Sequence, residues 1–146
     1  AIEVNLIGTL HSFLKGKDCH VLPSHMRVST PSHDSYMYPD TLIYCGKPEM
    51  EDDKFDTLLN PAAIFEFLSP STRNFDKKRK FFFYREIPTL KEYIMIDSTK
   101  RAIITVRRQS DNSWKFEDIG QSGKSLTIQT IGLTVLLDDL YEGTGL

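Results

Sequence analysis

The residue whose setting points most directly to chemistry is Glu66. Ala63-Ile64-Phe65-Glu66-Phe67-Leu68 is an apolar, aromatic-rich run of strand length, closed by Ser69-Pro70-Ser71. This is the pattern of a buried strand ending in a turn. Alternate residues of a strand share a face, so Glu66 stands with Ile64 and Leu68 while Ala63, Phe65 and Phe67 point the other way. Both faces are apolar, and an ionised carboxylate taken out of water is costly unless a cation or hydrogen-bond donors meet it. Two partners answer that need: an Arg or Lys in a structural salt bridge, or a metal ion.

The neighbouring stretches supply the other candidates. Upstream, Tyr36 to Cys45 is a second β-prone run, entered through Pro39-Asp40, and Pro suits a strand start where no ladder donor is needed. Downstream, the turn offers Ser71 or Thr72 as the N-cap of a helix running through Asp76-Lys77-Lys78-Arg79-Lys80-Phe81-Phe82-Phe83-Tyr84. On that helix Lys77, Lys80, Phe81 and Tyr84 share a face, and Asp76 and Lys80 form an i, i+4 pair. The four cations from Lys77 to Lys80 read as a solvated face. Lys80 stands apart from them, because its stem lies on the Phe81-Tyr84 side and can carry the ammonium to the edge of a site.

Pro39-Asp40, then Glu66-Phe67-Leu68-Ser69-Pro70-Ser71-Thr72, then Asp76 with Lys80 and Tyr84, then Ile87-Pro88-Thr89-Leu90-Lys91-Glu92-Tyr93 with Ile96-Asp97 follow one another in order. The series resembles the Uma-type family of restriction-endonuclease-like proteins, within the PD-(D/E)XK nuclease superfamily. The resemblance extends from the first helix to Leu140-Tyr141-Glu142-Gly143. Each motif is weak alone, and their order makes the set specific.

The resemblance implies an α+β domain with α/β-like character: a restriction-endonuclease-like core, its central mixed β-sheet flanked by helices. It implies two acids on adjacent strands holding Mg2+, with Mn2+ as a substitute. Asp40 matches the first acid and Glu66 the second. The strand lysine normally found two residues after the second acid is replaced by Leu68, and Lys80 matches the position from which this family supplies a lysine on the following helix. Phosphodiester hydrolysis needs an activated water and relief of charge building on the phosphate, which a divalent ion held by hard oxygen ligands provides. The ligands would be Asp40, Glu66 and the main-chain carbonyl of Phe67, and Lys80 would orient water or neutralise charge. Lys77 and Tyr84 are candidates for contact with the substrate phosphate, with packing the competing role for Tyr84. The expected activity is DNA cleavage by a homodimer, since two cuts in a duplex call for two sites. The alternatives are a catalytically idle relative that binds nucleic acid or a protein partner, and a hydrolase of smaller phosphodiesters.

Composition sets the bounds. With 146 residues, 40% hydrophobic and 26% charged, the chain fits one domain over 1–146. A net charge of −2 argues against a protein that coats itself on nucleic acid, although Arg73, Lys77 to Lys80 and Arg85 concentrate positive charge near the proposed site. There is neither a run long enough to span a bilayer nor a signal-peptide pattern, so a soluble cytoplasmic protein without membrane association is expected. Cys19 and Cys45 read as buried thiols, and His11, His20, His25 and His33 lack zinc spacing. Gly120 to Lys124 lacks the phosphate-loop pattern.

Ile2, Leu6, Leu10, Phe13 and Leu14 form a helical stripe closed by Gly16. Because the chain opens inside this pattern, a segment upstream of it is expected. Glu3 on the same helix is a candidate third carboxylate. Cys19 to Leu22 and Met26 to Ser29 read as one strand or a bent pair around Pro23, with a turn over 29–35 leading into the Asp40 strand. Residues 46–54 read as a polar loop. Further strands are expected over 92–97, 102–107, 114–119 and 126–128, with a closing helix over 135–141.

Overall fold

The computed structural model describes residues 1–146 apart from 33–35, 52–55, 71–75 and 121; the side chains of 76–78 are likewise outside the description. The N-cap expected at Ser71 or Thr72, and Arg73, lie outside the described residues.

The elements in chain order are α1 (Ile2–Leu14), β1 (Cys19–Pro23), β2 (Arg27–Ser29), β3 (Tyr36–Met37), β4 (Thr41–Cys45), β5 (Thr57–Leu58) and β6 (Pro61–Leu68). They continue with α2 (Asp76–Tyr84), β7 (Glu92–Asp97), β8 (Ile103–Arg108), β9 (Trp114–Ile119), β10 (Ser125–Ile128), β11 (Leu133–Leu136) and α3 (Leu137–Leu140). A six-stranded sheet in the order β1-β4-β6-β7-β8-β9 forms the centre. It is mixed: β6 and β7 run parallel and the other neighbours antiparallel. A parallel pair needs a crossover, and α2 supplies it between β6 and β7. The α+β architecture is as expected.

Each face of the sheet buries its own core. On one side Ile43, Ala63, Phe65 and Ile94 pack against Leu6 and Leu10 of α1 and against the β10–β11 hairpin and α3. On the other, Leu42, Ile64, Leu68, Tyr93 and Met95 pack against Phe81 and Tyr84 of α2, with Val28 and Leu58 of a small β3-β2-β5 sheet at the border. The alternation along β6 therefore assigns Glu66 to the α2 side, with Ile64 and Leu68.

Several expectations need correction. Cys19 and Cys45 are not thiols: they are register partners on β1 and β4 and form a disulfide. Cross-strand register brought them together, which a separation of 26 in the chain does not reveal. The stretch from Cys19 to Ser29 is divided between two sheets, and so is the run from Tyr36 to Cys45, where Tyr38-Pro39-Asp40 carries the chain from the small sheet to the central one. Val135 and Leu136 end a strand, and the closing helix is confined to 137–140. Gly16, just past α1, has φ +78°, the left-handed conformation that lets glycine end a helix. Among the described residues no helix is long and apolar enough to cross a membrane.

Candidate active site

The antiparallel register of β4 and β6 pairs Leu42 with Ile64 and Thr41 with Phe65. Continuing it by one residue sets Asp40, just ahead of β4, opposite Glu66. Directly opposed residues of an antiparallel pair project from the same face with Cβ atoms about 5 Å apart. The main-chain N–H of Phe67 donates to Asp40 Oδ2 at 2.8 Å, which holds the Asp40 carboxylate against the peptide that follows Glu66. Two acids thus converge at neighbouring strand positions on the α2 side of the sheet.

Glu66 is fully buried. The hydroxyl of Tyr84, also fully buried, donates to its Oε1 at 3.3 Å. Burial first, and then the charge of Glu66, push the Tyr84 phenol far above its ordinary range, so it remains a neutral donor. Tyr93 responds in the same way, to burial and then to Glu66 and Asp40. The two phenol rings lie 5.5 Å apart and form an apolar wall beside the acids. Tyr84, a candidate for phosphate contact, is directed at the carboxylate.

Glu3, near the start of α1, belongs to the same electrostatic neighbourhood. Partial burial and then the charge of Asp40 hold its carboxyl above the usual carboxylate range. Glu3 therefore senses Asp40, although among the described residues no three His, Cys, Asp or Glu side chains cluster tightly enough to hold one ion. Two hard carboxylates at facing positions suit Mg2+, which takes one or two carboxylates and completes its shell with water and phosphate.

Lys80 lies one turn before Tyr84 on the same side of α2 and is half-buried. Among the described residues no ion pair joins it to Asp40 or Glu66. The backbone of Lys77 lies in the first turn of α2, and its side chain is outside the description. Leu68 is buried with the α2-side core, so the usual place of a strand lysine is filled by packing.

A second buried acid shows what a structural carboxylate looks like in this fold. Glu92, at the start of β7, is 1% exposed and meets Nε of Arg107 at 2.9 Å. It also accepts from the main-chain N–H groups of Gln129 and Thr130, while Arg107 reaches the carbonyl of Thr127. This network ties β7 and β8 to the β10–β11 hairpin. Arg108 steadies the far end of α2 by donating to the carbonyls of Leu90, Ile87 and Arg85. Neither arginine was singled out from the sequence. Glu92 had the same signal as Glu66, an acid joined to an apolar strand run.

A family model described as "Uma2: Putative restriction endonuclease" matches residues 1–138. The chain belongs to the Uma2 family. Two uncharacterised Synechocystis proteins are similar to this Uma2 chain. The protein slr1290 is 29% identical over 142 residues, which cover 97% of the chain and 73% of the relative. The protein sll1609 is 32% identical over 118 residues, covering 81% and 67%. The structure also superposes on the crystal structure of a "putative nuclease belonging to DUF820" from Anabaena variabilis, with a TM-score of 0.78 over 98% of this chain and 79% of that one. At 14% identity this likeness is one of fold. The Uma2 chain therefore combines a nuclease-like fold with one acid on β6 and another just ahead of the neighbouring strand β4.

Proposed function

We propose that this Uma2 protein is a Mg2+-dependent endonuclease that hydrolyses DNA phosphodiester bonds in the cytoplasm as a homodimer. The observation that carries the reading is the placement of Asp40 opposite Glu66, with the Phe67 amide fixing Asp40. Asp40, Glu66 and the main-chain carbonyl of Phe67 would hold the ion, and Mn2+ would substitute for it. A bound divalent ion supplies an acidified water and charge relief at the phosphate.

The chain's own residues set the conditions for that chemistry. Tyr84 and Tyr93 exclude water from the buried side of Glu66, and the Tyr84 hydroxyl restrains the carboxylate. Lys80 enters from α2 to orient the attacking water or offset charge on the phosphate. As an ammonium it contributes positive charge; as a base it would need a pKa well below about 10.4. Lys77 contributes to phosphate attraction. Two copies would supply one centre for each strand of a duplex.

Buried Leu68 favours a second reading, in which the protein binds nucleic acid or a protein partner without cutting. One assay separates the two. Plasmid DNA is incubated with Mg2+ or Mn2+ and the parent protein, Glu66→Gln or Lys80→Ala. Nicking by the parent that both variants lose supports the enzyme; equal nicking by all three, or DNA binding without nicking, refutes it.

A further inference from the structure

An apolar groove of about 420 Å³ opens on the Glu66 side of the sheet, between α2 and β9. Its walls are Phe81, Phe82, Trp114 and Phe116, its floor includes Met95, and Arg85 stands at its rim. We infer that this groove seats one unstacked nucleobase of the DNA strand whose phosphodiester lies at Asp40 and Glu66. The inference rests on the nuclease reading above and extends it to the form of DNA recognised.

The position follows from strand register. Met95 is the β7 partner of Glu66, and neighbouring strands are about 4.8 Å apart, so the groove floor begins one strand away from the acid. A nucleotide with its phosphate at the carboxylates therefore has its base within reach of the groove. The chemistry of the walls selects a flat aromatic guest. Phe82 and Phe116 are 56% and 58% exposed, an unusual state for two large rings bordering one cavity. Phe81, which is buried, anchors them: its ring centroid is 6.2 Å from that of Phe82 and 5.6 Å from that of Phe116, the latter edge-on. Trp114 also meets Phe81 edge-on, and the Arg108 guanidinium braces it from 4.4 Å. These rings form a preset stacking surface. The charged group at the rim is a cation, Arg85, over the Phe82 ring at 4.7 Å. Carbon walls with a guanidinium at the mouth complement a base carried by a phosphate backbone.

A base can enter only after leaving the duplex stack, so single-stranded or unpaired DNA should bind better than intact duplex. Trp114 is the chain's only tryptophan, and its emission reports occupancy of the groove. The test uses the full chain carrying Glu66→Gln, without divalent ion, titrated with a single-stranded oligonucleotide, an abasic oligomer of equal length and a duplex. Binding is read by Trp114 emission and by anisotropy of labelled DNA. The expected result is saturable emission change with the base-containing single strand and roughly ten-fold weaker binding of the abasic strand and the duplex. Phe82→Ala and Phe116→Ala should each remove most of that preference while leaving abasic binding unchanged. Equal affinity for base-containing and abasic strands overturns the inference. So does a dimer in sedimentation that Phe116→Ala dissociates without altering base preference, because the face would then belong to a second copy. Plasmid nicking without base preference sinks this inference and leaves the nuclease reading intact; base preference without nicking does the reverse.

Discussion

The amide of Phe67 donates to Asp40 Oδ2 at 2.8 Å, so the peptide next to one acid fixes the other. Asp40→Asn keeps an acceptor for this amide, and Asp40→Ala does not. Both variants should lose cleavage by about a thousand-fold, equivalent to about 4 kcal/mol of transition-state stabilisation. Urea unfolding should separate them, with Asp40→Ala the less stable by about 1 to 2 kcal/mol. Equal stabilities would mean that the hydrogen bond does not hold the site together.

Glu66 and Glu92 are both buried acids in the central sheet, yet substitutions at their sites should differ in cost. Removing the guanidinium with Arg107→Ala leaves Glu92 charged among apolar groups and should cost about 3 to 5 kcal/mol. Glu66→Gln keeps the side-chain shape and an acceptor for the Tyr84 hydroxyl, so thermal unfolding should change by no more than about 1 kcal/mol alongside lost cleavage. A loss for Glu66→Gln as large as that for Arg107→Ala would make Glu66 a structural residue.

Much of this contrast could be read from the chain. The strand from Ala63 to Leu68 is short, apolar and bounded by a turn, and its alternation correctly put Glu66 with Ile64 and Leu68. The likeness of the motif series to a nuclease family was legible for the same reason: its residues stand at strand ends and helix starts, where types are restricted. What escaped depends on contacts between distant segments. Cys19 meets Cys45 through the β1–β4 register, and Arg107 reaches Glu92 and Thr127 across two sheets. The strand character of Val135 and Leu136 comes from pairing with Ser125 and Leu126, whereas a short apolar run fits helix and strand alike. Pro39 marks the Asp40 strand start, but only the fold shows that the chain changes sheets there.

Glu3 gives the site a pH signature. Burial and then the charge of Asp40 raise its carboxyl in the folded state. The folded protein therefore holds this proton more tightly than the unfolded chain. That contribution is complete below the unfolded value of about 4.3 and is lost as pH rises through the raised folded value. Glu3→Gln should raise the melting temperature at pH 7 and give no gain at pH 3. A gain independent of pH would mean that the Glu3 carboxyl is not raised in the folded state.

The Cys19–Cys45 link should contribute to stability through the unfolded chain. With the cysteines 26 residues apart, a loop-closure argument gives about 3.5 kcal/mol as an upper figure. Reduction, or a Cys19→Ser Cys45→Ser double variant, should lower the melting temperature and leave the acids in place. Thiol titration of the oxidised protein should find no free cysteine. Because disulfides are uncommon in reducing compartments, two titratable thiols in protein isolated under thiol-trapping conditions would mean that the cell maintains the reduced form.

Divalent-ion binding tests the facing placement of Asp40 and Glu66 most directly. Mn2+ titration followed by calorimetry or electron spin resonance, on the parent, Asp40→Asn and Glu66→Gln, should find one ion per chain in the parent. Either substitution should weaken binding by at least about ten-fold, with the fold intact by circular dichroism. Mn2+ affinity that survives both substitutions unchanged would contradict the account.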